Sequence, residues 1–156
     1  YKEKVNMNTV IKDACRILHN QYKHTDLNIK TAYSDGLPNV LGNFATLGQV
    51  ALNVLQNAIQ AVIGCKEGLI VLSTRYELQT QEVIFECADT GPGIPKSIQK
   101  DIFKPFFTTK VVGEGTGLGL YICHEIIRKH GGTIGIDASR LGGAAVRFEI
   151  PAAGSG

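Results

Sequence analysis

The stretch Val83-Ile84-Phe85-Glu86-Cys87-Ala88-Asp89-Thr90-Gly91-Pro92-Gly93 reads as a strongly apolar strand that stops on a carboxylate and then turns. Val, Ile, Phe and Cys suit a buried strand, and Gly-Pro-Gly ends any regular pattern. Working back, Gly68 to Tyr76 is a second run rich in Leu, Ile and Val, so Gly68–Tyr76 and Glu82–Ala88 predict a hairpin. Before it, Phe44 to Ile63 carries Leu47, Val50, Ala51, Val54, Leu55 and Ala58 on one face, the spacing of an amphipathic helix that ends near Gly64. A strand near Leu27 to Tyr33 and a helix from about Thr9 to Tyr22, capped by Asn8, complete the front half.

Working forward, a turn-and-loop region runs from Asp89 to Thr116, broken by one short helix at Ser97 to Ile102. A third long helix spans about Leu118 to His130 and stops at Gly131-Gly132. Thr133–Ala138 and Ala144–Ile150 form a last hairpin around Gly142-Gly143. This order predicts an α+β, two-layer sandwich: a mixed, mainly antiparallel sheet covered on one face by three main helices. Residues 1–151 form one unit and 152–156 a frayed tail.

Composition narrows the function classes. The chain has 156 residues, 44% of them apolar, enough for one domain with a substantial core. A formal net charge of +2 with no long basic run argues against nucleic acid and against an anionic membrane surface. No apolar run approaches a membrane span, and the chain reads as cytoplasmic; any anchor belongs to another part of a full-length protein. Cys15, Cys65, Cys87 and Cys123 form no C-x-x-C pair and read as buried free thiols of a reducing compartment. The four His residues form no metal cluster, and His130 sits where a capping role or a cation suits the helix end.

Four short boxes can carry chemistry. Asn53 and Asn57 stand one turn apart on the second helix, a poor place for Asn unless its amide oxygens face a ligand or metal; a solvated polar stripe is the plain alternative. Asp89, ahead of Gly91 and Gly93, can accept the exocyclic N–H of adenine from inside a pocket, although Asp-x-Gly also makes ordinary turns. Phe106-Phe107-Thr108-Thr109-Lys110-Val111-Val112-Gly113-Glu114-Gly115 is too long for a tight turn and suits a lid, with Lys110 as phosphate partner. Gly115-Thr116-Gly117-Leu118-Gly119 opens the third helix, where backbone N–H groups and the dipole favour phosphate. Neither G-x-x-x-x-G-K-[ST] nor a Rossmann G-x-G-x-x-G is present.

Taken together, these boxes resemble the catalytic ATP-binding domain of sensor histidine kinases, the Bergerat fold shared with gyrase, a heat-shock chaperone and mismatch-repair ATPases. Asn53 to Ala61 is similar to the asparagine box and Asp89 to Pro95 to the first glycine box. Ile102 to Lys110 is similar to the phenylalanine box, Gly115 to Leu120 to the second glycine box, and Gly142-Gly143 to the final glycine motif. The wording F-F-T-T-K followed by G-x-G-T-G-L-G-L is similar to nitrogen-regulation-type kinases in particular.

The resemblance implies ATP or ADP as ligand, with Asn57 ligating Mg²⁺ and Asn53 aiding phosphate or metal placement. Asp89 would read adenine in a pocket shaped by Gly91, Gly93 and Ile94. Phe106, Thr108, Thr109, Lys110, Gly115, Thr116, Gly117, Leu118 and Gly119 would form the lid and phosphate end, with Asn53 and Lys110 closest to the transfer. The acceptor histidine would lie on a separate dimerisation domain, with a response regulator downstream, and the isolated domain would be monomeric. His124-Glu125 matches only two residues of an acceptor motif and is not the acceptor. Three positions depart from the pattern: Gln60 and Ala61 replace Lys and Tyr, Ala144 replaces Thr, and Asn53 stands where the superfamily's ATPases carry a water-activating Glu. A nucleotide sensor without transfer, or a serine kinase or ATPase of the same superfamily, remains the alternative.

Overall fold

A computed structural model describes residues 2–105 and 119–154. Five strands form the main sheet: β2 (Asn28–Ala32), β4 (Leu69–Glu77), β5 (Glu82–Asp89), β6 (Thr133–Ala138) and β7 (Ala144–Pro151). Their order is β2-β4-β5-β7-β6, with β2 parallel to β4 and every other pair antiparallel. Helices α1 (Met7–Leu18), α2 (Phe44–Val62) and α4 (Gly119–Lys129) pack as one layer, α2 lying between the other two. This is the expected two-layer α+β sandwich.

Strand periodicity places the core. On β5, Val83, Phe85 and Cys87 point into the shared core, and the two-residue repeat puts Asp89 on that same helix-facing side. Phe85 pairs with Phe148 across the β5–β7 ladder, their ring centroids 4.9 Å apart. The apolar face of α2, Leu47, Val50, Ala51, Val54, Leu55 and Ala58, is buried throughout, so the polar strip with Asn53 and Asn57 is turned aside from the core.

Several expectations need correction. Asn8 does not cap α1; Asn6 does, its Oδ1 accepting from Asn8 N–H at 2.9 Å, so the helix begins at Met7. Asn8 instead joins a part-buried polar clamp: Thr74 Oγ1 donates to Asn8 Oδ1 at 2.6 Å and accepts from Ser34 N–H at 3.0 Å. The far end of α1 tightens into a 3-10 turn, His19–Gln21, as helix ends often do. The short helix α3 covers only Lys96–Gln99. A two-stranded sheet, β1 (Glu3–Val5) with β3 (Val40–Gly42), was not anticipated, since three-residue strands carry too little pattern. Cys65 is exposed at the end of α2 and Cys15 is half-buried; only Cys87 and Cys123 fit the buried reading, and all four are free.

The third helix ends as expected. Gly131 has φ +79°, and the N–H of Gly132 reaches the Ile127 carbonyl at 3.0 Å. His130 is not a surface cation at this end. Its Nε2 accepts from Asn43 N–H at 3.3 Å, so the ring is neutral and Nδ1–H donates to the Ile126 carbonyl at 2.7 Å. That side chain ties the end of α4 to the start of α2.

Candidate functional site

Asp89 sits at the last position of β5 with 5% of its surface exposed. A buried carboxylate is costly unless hydrogen-bonded, and here Oδ1 accepts from two backbone N–H groups, Gly91 at 2.9 Å and Ala144 at 3.1 Å. Its own carbonyl accepts from Gly143 N–H at 3.0 Å. Both side-chain bonds fall on Oδ1, so Oδ2 is the oxygen a ligand can meet. An ordinary Asp-x-Gly turn would account for the Gly91 bond but not for the one from Ala144, 55 residues away.

Glycines make this geometry physically accessible. A Cβ on Gly143 would lie 2.2 Å from Asp89 Oδ1 and 2.6 Å from both Asp89 O and Gly91 N, so only glycine fits there. On Gly91 it would meet the Ala61 carbonyl at 3.1 Å, where the β5 end packs directly on α2. Gly93 turns at φ +76°, a conformation unfavourable for other residues.

Asp89 opens into a cavity of about 80 Å³ between α2 and the sheet. Asn57 and Ala61 line it from α2, Gly93 and Ile94 from the turn after β5, and Leu120 from α4. The floor is apolar, made by Cys87, Ile136 and Val146. Burial, together with the nearby Asp89 carboxylate, pushes the Cys87 thiol far up, so it contributes as a small apolar surface and not as a nucleophile. A mostly apolar cavity with an oriented carboxylate suits a base that carries an exocyclic N–H.

Of the residues expected at the site, Asn57, Asp89, Gly93 and Ile94 meet around this cavity, and Gly91 packs immediately behind Asp89. Asn53 is half-buried one turn before Asn57 and faces Cys123 of α4 rather than the cavity. Gly119 is the first residue of α4. Phe106, Thr108, Thr109, Lys110, Gly115, Thr116, Gly117 and Leu118 lie outside the described residues. Phe103, at the start of the phenylalanine box, rests against His124 of α4 with ring centroids 6.0 Å apart.

Sequence reading missed Cys87, Leu120, Ile136, Ala144 and Val146. Cys87 was within reach, two residues before Asp89 and so on the same face of β5. Ile136 and Val146 are direct cross-strand partners, which the hairpin register alone would reveal. Ala144 had been noted as lacking a threonine hydroxyl; its contribution here is a backbone N–H, which no side-chain motif can show. Among the described residues no group of three His, Cys, Asp or Glu could hold a metal, and no helix is long and apolar enough to cross a membrane.

A nucleotide slot between an asparagine-bearing helix and the end of a buried strand, on a mixed sheet covered by helices on one face, defines an ATP-binding catalytic domain of the histidine-kinase and gyrase type. The chain belongs to the histidine kinase-, DNA gyrase B- and HSP90-like ATPase family, which it matches over residues 42–154. Among curated relatives it is 34% identical to the sensor histidine kinase ZraS of Escherichia coli over 94% of this chain and 30% of that protein. It is 30% identical to the sensor histidine kinase TmoS of Ectopseudomonas mendocina over 94% of this chain and 15% of that protein. The chain thus spans less than a third of the length of these two relatives. Among solved structures, the nucleotide-free catalytic domain of the histidine kinase ThkA superimposes with a TM-score of 0.85 at 29% identity, covering 97% of this chain and 98% of that one. The mycobacterial sensor histidine kinase MprB gives 0.84 at 27% identity, with coverage of 97% and 98%.

Proposed function

We propose that this domain binds Mg-ATP and donates the γ-phosphoryl group to a histidine on a separate dimerisation domain of a longer sensor kinase, for onward passage to a response regulator. The observation that carries the nucleotide reading is Asp89, buried at a cavity mouth with one oxygen tied to the backbone and the other left to read adenine's amino group. The family match and the histidine-kinase relatives support the transfer, and ThkA has been seen in complex with its response regulator. Residues 1–151 would act as the ATP-binding unit, monomeric in isolation; the tail from 152 is not frayed at its start, since the N–H groups of Ala152 and Ala153 donate to the Gln81 and Asn39 carbonyls at 2.9 and 2.7 Å.

The donor set fits magnesium. Asn57 lines the cavity wall and carries an amide oxygen of the kind Mg²⁺ can take, the ion commonly using one or two protein oxygens with phosphates and water completing the shell. When bound, the ion would neutralise charge on the phosphates; Asn57 would hold it and Asn53 would assist. Lys110, Thr108, Thr109 and the Gly115–Gly119 box would hold the phosphate end, Lys110 and Asn53 lying nearest the transfer, with Phe106 anchoring the lid. The domain's own part in catalysis is then positioning and electrostatic stabilisation, as phosphoryl transfer requires.

The test is calorimetric titration of ATP and ADP with and without Mg²⁺, followed by transfer from Mg-ATP to a matched dimerisation hairpin. Saturable nucleotide binding and labelling of the hairpin's histidine are the expected results. Absence of transfer to a hairpin that a related kinase domain phosphorylates would overturn the proposal.

A further inference from the structure

Thr90 is the residue at which the chain leaves the sheet after β5. The β4–β5 register ends with Ile70 opposite Asp89, so Leu69 faces Thr90 one step further on. A regular antiparallel pair at that step would exchange two backbone bonds. Here Thr90 N–H donates to the Leu69 carbonyl at 3.1 Å, but Leu69 N–H donates to the Thr90 hydroxyl at 3.0 Å. The side chain stands in for the residue's own carbonyl and closes the ladder without it. The chain can therefore turn at this point, and the next N–H, that of Gly91, swings back onto Asp89 Oδ1 at 2.9 Å. Had the strand run on, that N–H would lie in the plane of the sheet, aimed sideways at a neighbouring strand. Oδ1 would then keep only its bond from Ala144.

We infer that Thr90 is a positioning residue for base selectivity: its hydroxyl ends the β4–β5 ladder where Gly91 can turn back and fix the Asp89 carboxylate. Two N–H groups on Oδ1 set the rotation of the carboxylate about its terminal torsion, which is soft on its own. With one of them gone the group can swing, and Oδ2 is no longer held where a base would meet it. The inference rests on the reading that Asp89 meets adenine's amino group, and adds a residue outside the cavity that governs how sharply it does so.

Thr90→Val tests it, because valine keeps the β-branched shape and removes the acceptor for Leu69 N–H. ADP and IDP affinities are measured by calorimetry, thermal unfolding reports on the fold, and exchange of the Gly91 amide proton is followed by NMR. The expected result is a folded variant with faster Gly91 exchange and a preference for ADP over IDP reduced by roughly three- to tenfold. Thr90→Ser, which keeps the hydroxyl, should restore both. A purely structural role would lower the unfolding temperature and leave the preference of the folded protein where it is, and that outcome overturns the inference. Asp89→Asn separates the two readings. If it leaves the preference unchanged, Asp89 does not read the base and the underlying reading fails. If it shifts the preference and Thr90→Val does not, the positioning role alone is overturned. Should the valine variant not fold, Thr90→Ala is measured in its place, and an unchanged preference there overturns the inference.

Discussion

Asp89→Asn isolates the base contact because the surrounding backbone dictates how the new amide must sit. Oδ1 of Asp89 accepts from Gly91 and Ala144 N–H groups at 2.9 and 3.1 Å. An asparagine that turned its NH₂ towards them would set donor against donor twice, so its oxygen takes the Oδ1 place and Nδ2 takes that of Oδ2. The fold therefore keeps both backbone bonds, while adenine's amino group meets another donor. Losing a hydrogen bond to a charged acceptor and burying an unpaired donor together cost about 3 kcal/mol, or roughly 150-fold in affinity. The same change should invert the preference for the base, because an inosine nucleotide presents a carbonyl that Nδ2–H can reach. Calorimetry with ADP and IDP, on wild type and variant of matched thermal stability, reads both effects. A variant that binds ADP within about threefold of wild type, with no gain for IDP, would show that Oδ2 does not read the base.

Other outcomes follow from the same contacts. Gly143→Ala drives a Cβ to within 2.2 Å of Asp89 Oδ1, so chemical denaturation should show a loss of about 3 kcal/mol together with weaker nucleotide binding. Thr74→Val removes the donor to Asn8 and the acceptor for Ser34 in this part-buried clamp and should cost about 1–3 kcal/mol, with ADP affinity unchanged in the folded fraction. Burial pushes the Cys123 thiol up to about 12 and the Cys87 thiol higher still, so alkylation of the native domain at pH 8 should mark Cys65 first and spare Cys87 and Cys123 until unfolding, as mass spectrometry would show. Asn57→Ala should weaken Mg-ATP binding by about tenfold and metal-free ADP binding by clearly less, which titration with and without chelator would reveal.

The elements that were legible in the sequence are those with long periods. The α2 face and the β4–β5 and β6–β7 hairpins carry enough repeats for position and partner to follow from alternation alone. What was not legible depended on contacts distant in sequence. Asn8 resembles a helix cap because Asn suits that role, yet Asn6 outcompetes it and Thr74, 66 residues away, claims its side chain. His130 resembles a helix-end cation until Asn43, 87 residues earlier, supplies a donor to Nε2; Gly42 makes room, since a Cβ there would lie 2.5 Å from the ring. At the site, Asp89 could be picked out by its place at the end of a buried strand. The backbone N–H of Ala144 that orients it could not, because it arrives through the β5–β7 register and carries no side-chain signature.

That orientation also bears on what the site does with ATP. Among the described residues lining the cavity, Asp89 is the one carboxylate, and it is bound to the backbone through Oδ1. On the proposed reading the α2 residues at the phosphate end would be Asn53 and Asn57, amides that cannot take a proton from water at neutral pH. A site built in this way can hold and polarise a phosphoryl group, but its described part contains no base to drive hydrolysis. The nucleophile must then bring its own reactivity, as a histidine nitrogen does. Asn53→Glu supplies the missing base on the same helix face. If the reasoning holds, it should raise phosphate release in the absence of any acceptor, and an unchanged rate in a variant that still binds Mg-ATP would place the barrier to hydrolysis elsewhere.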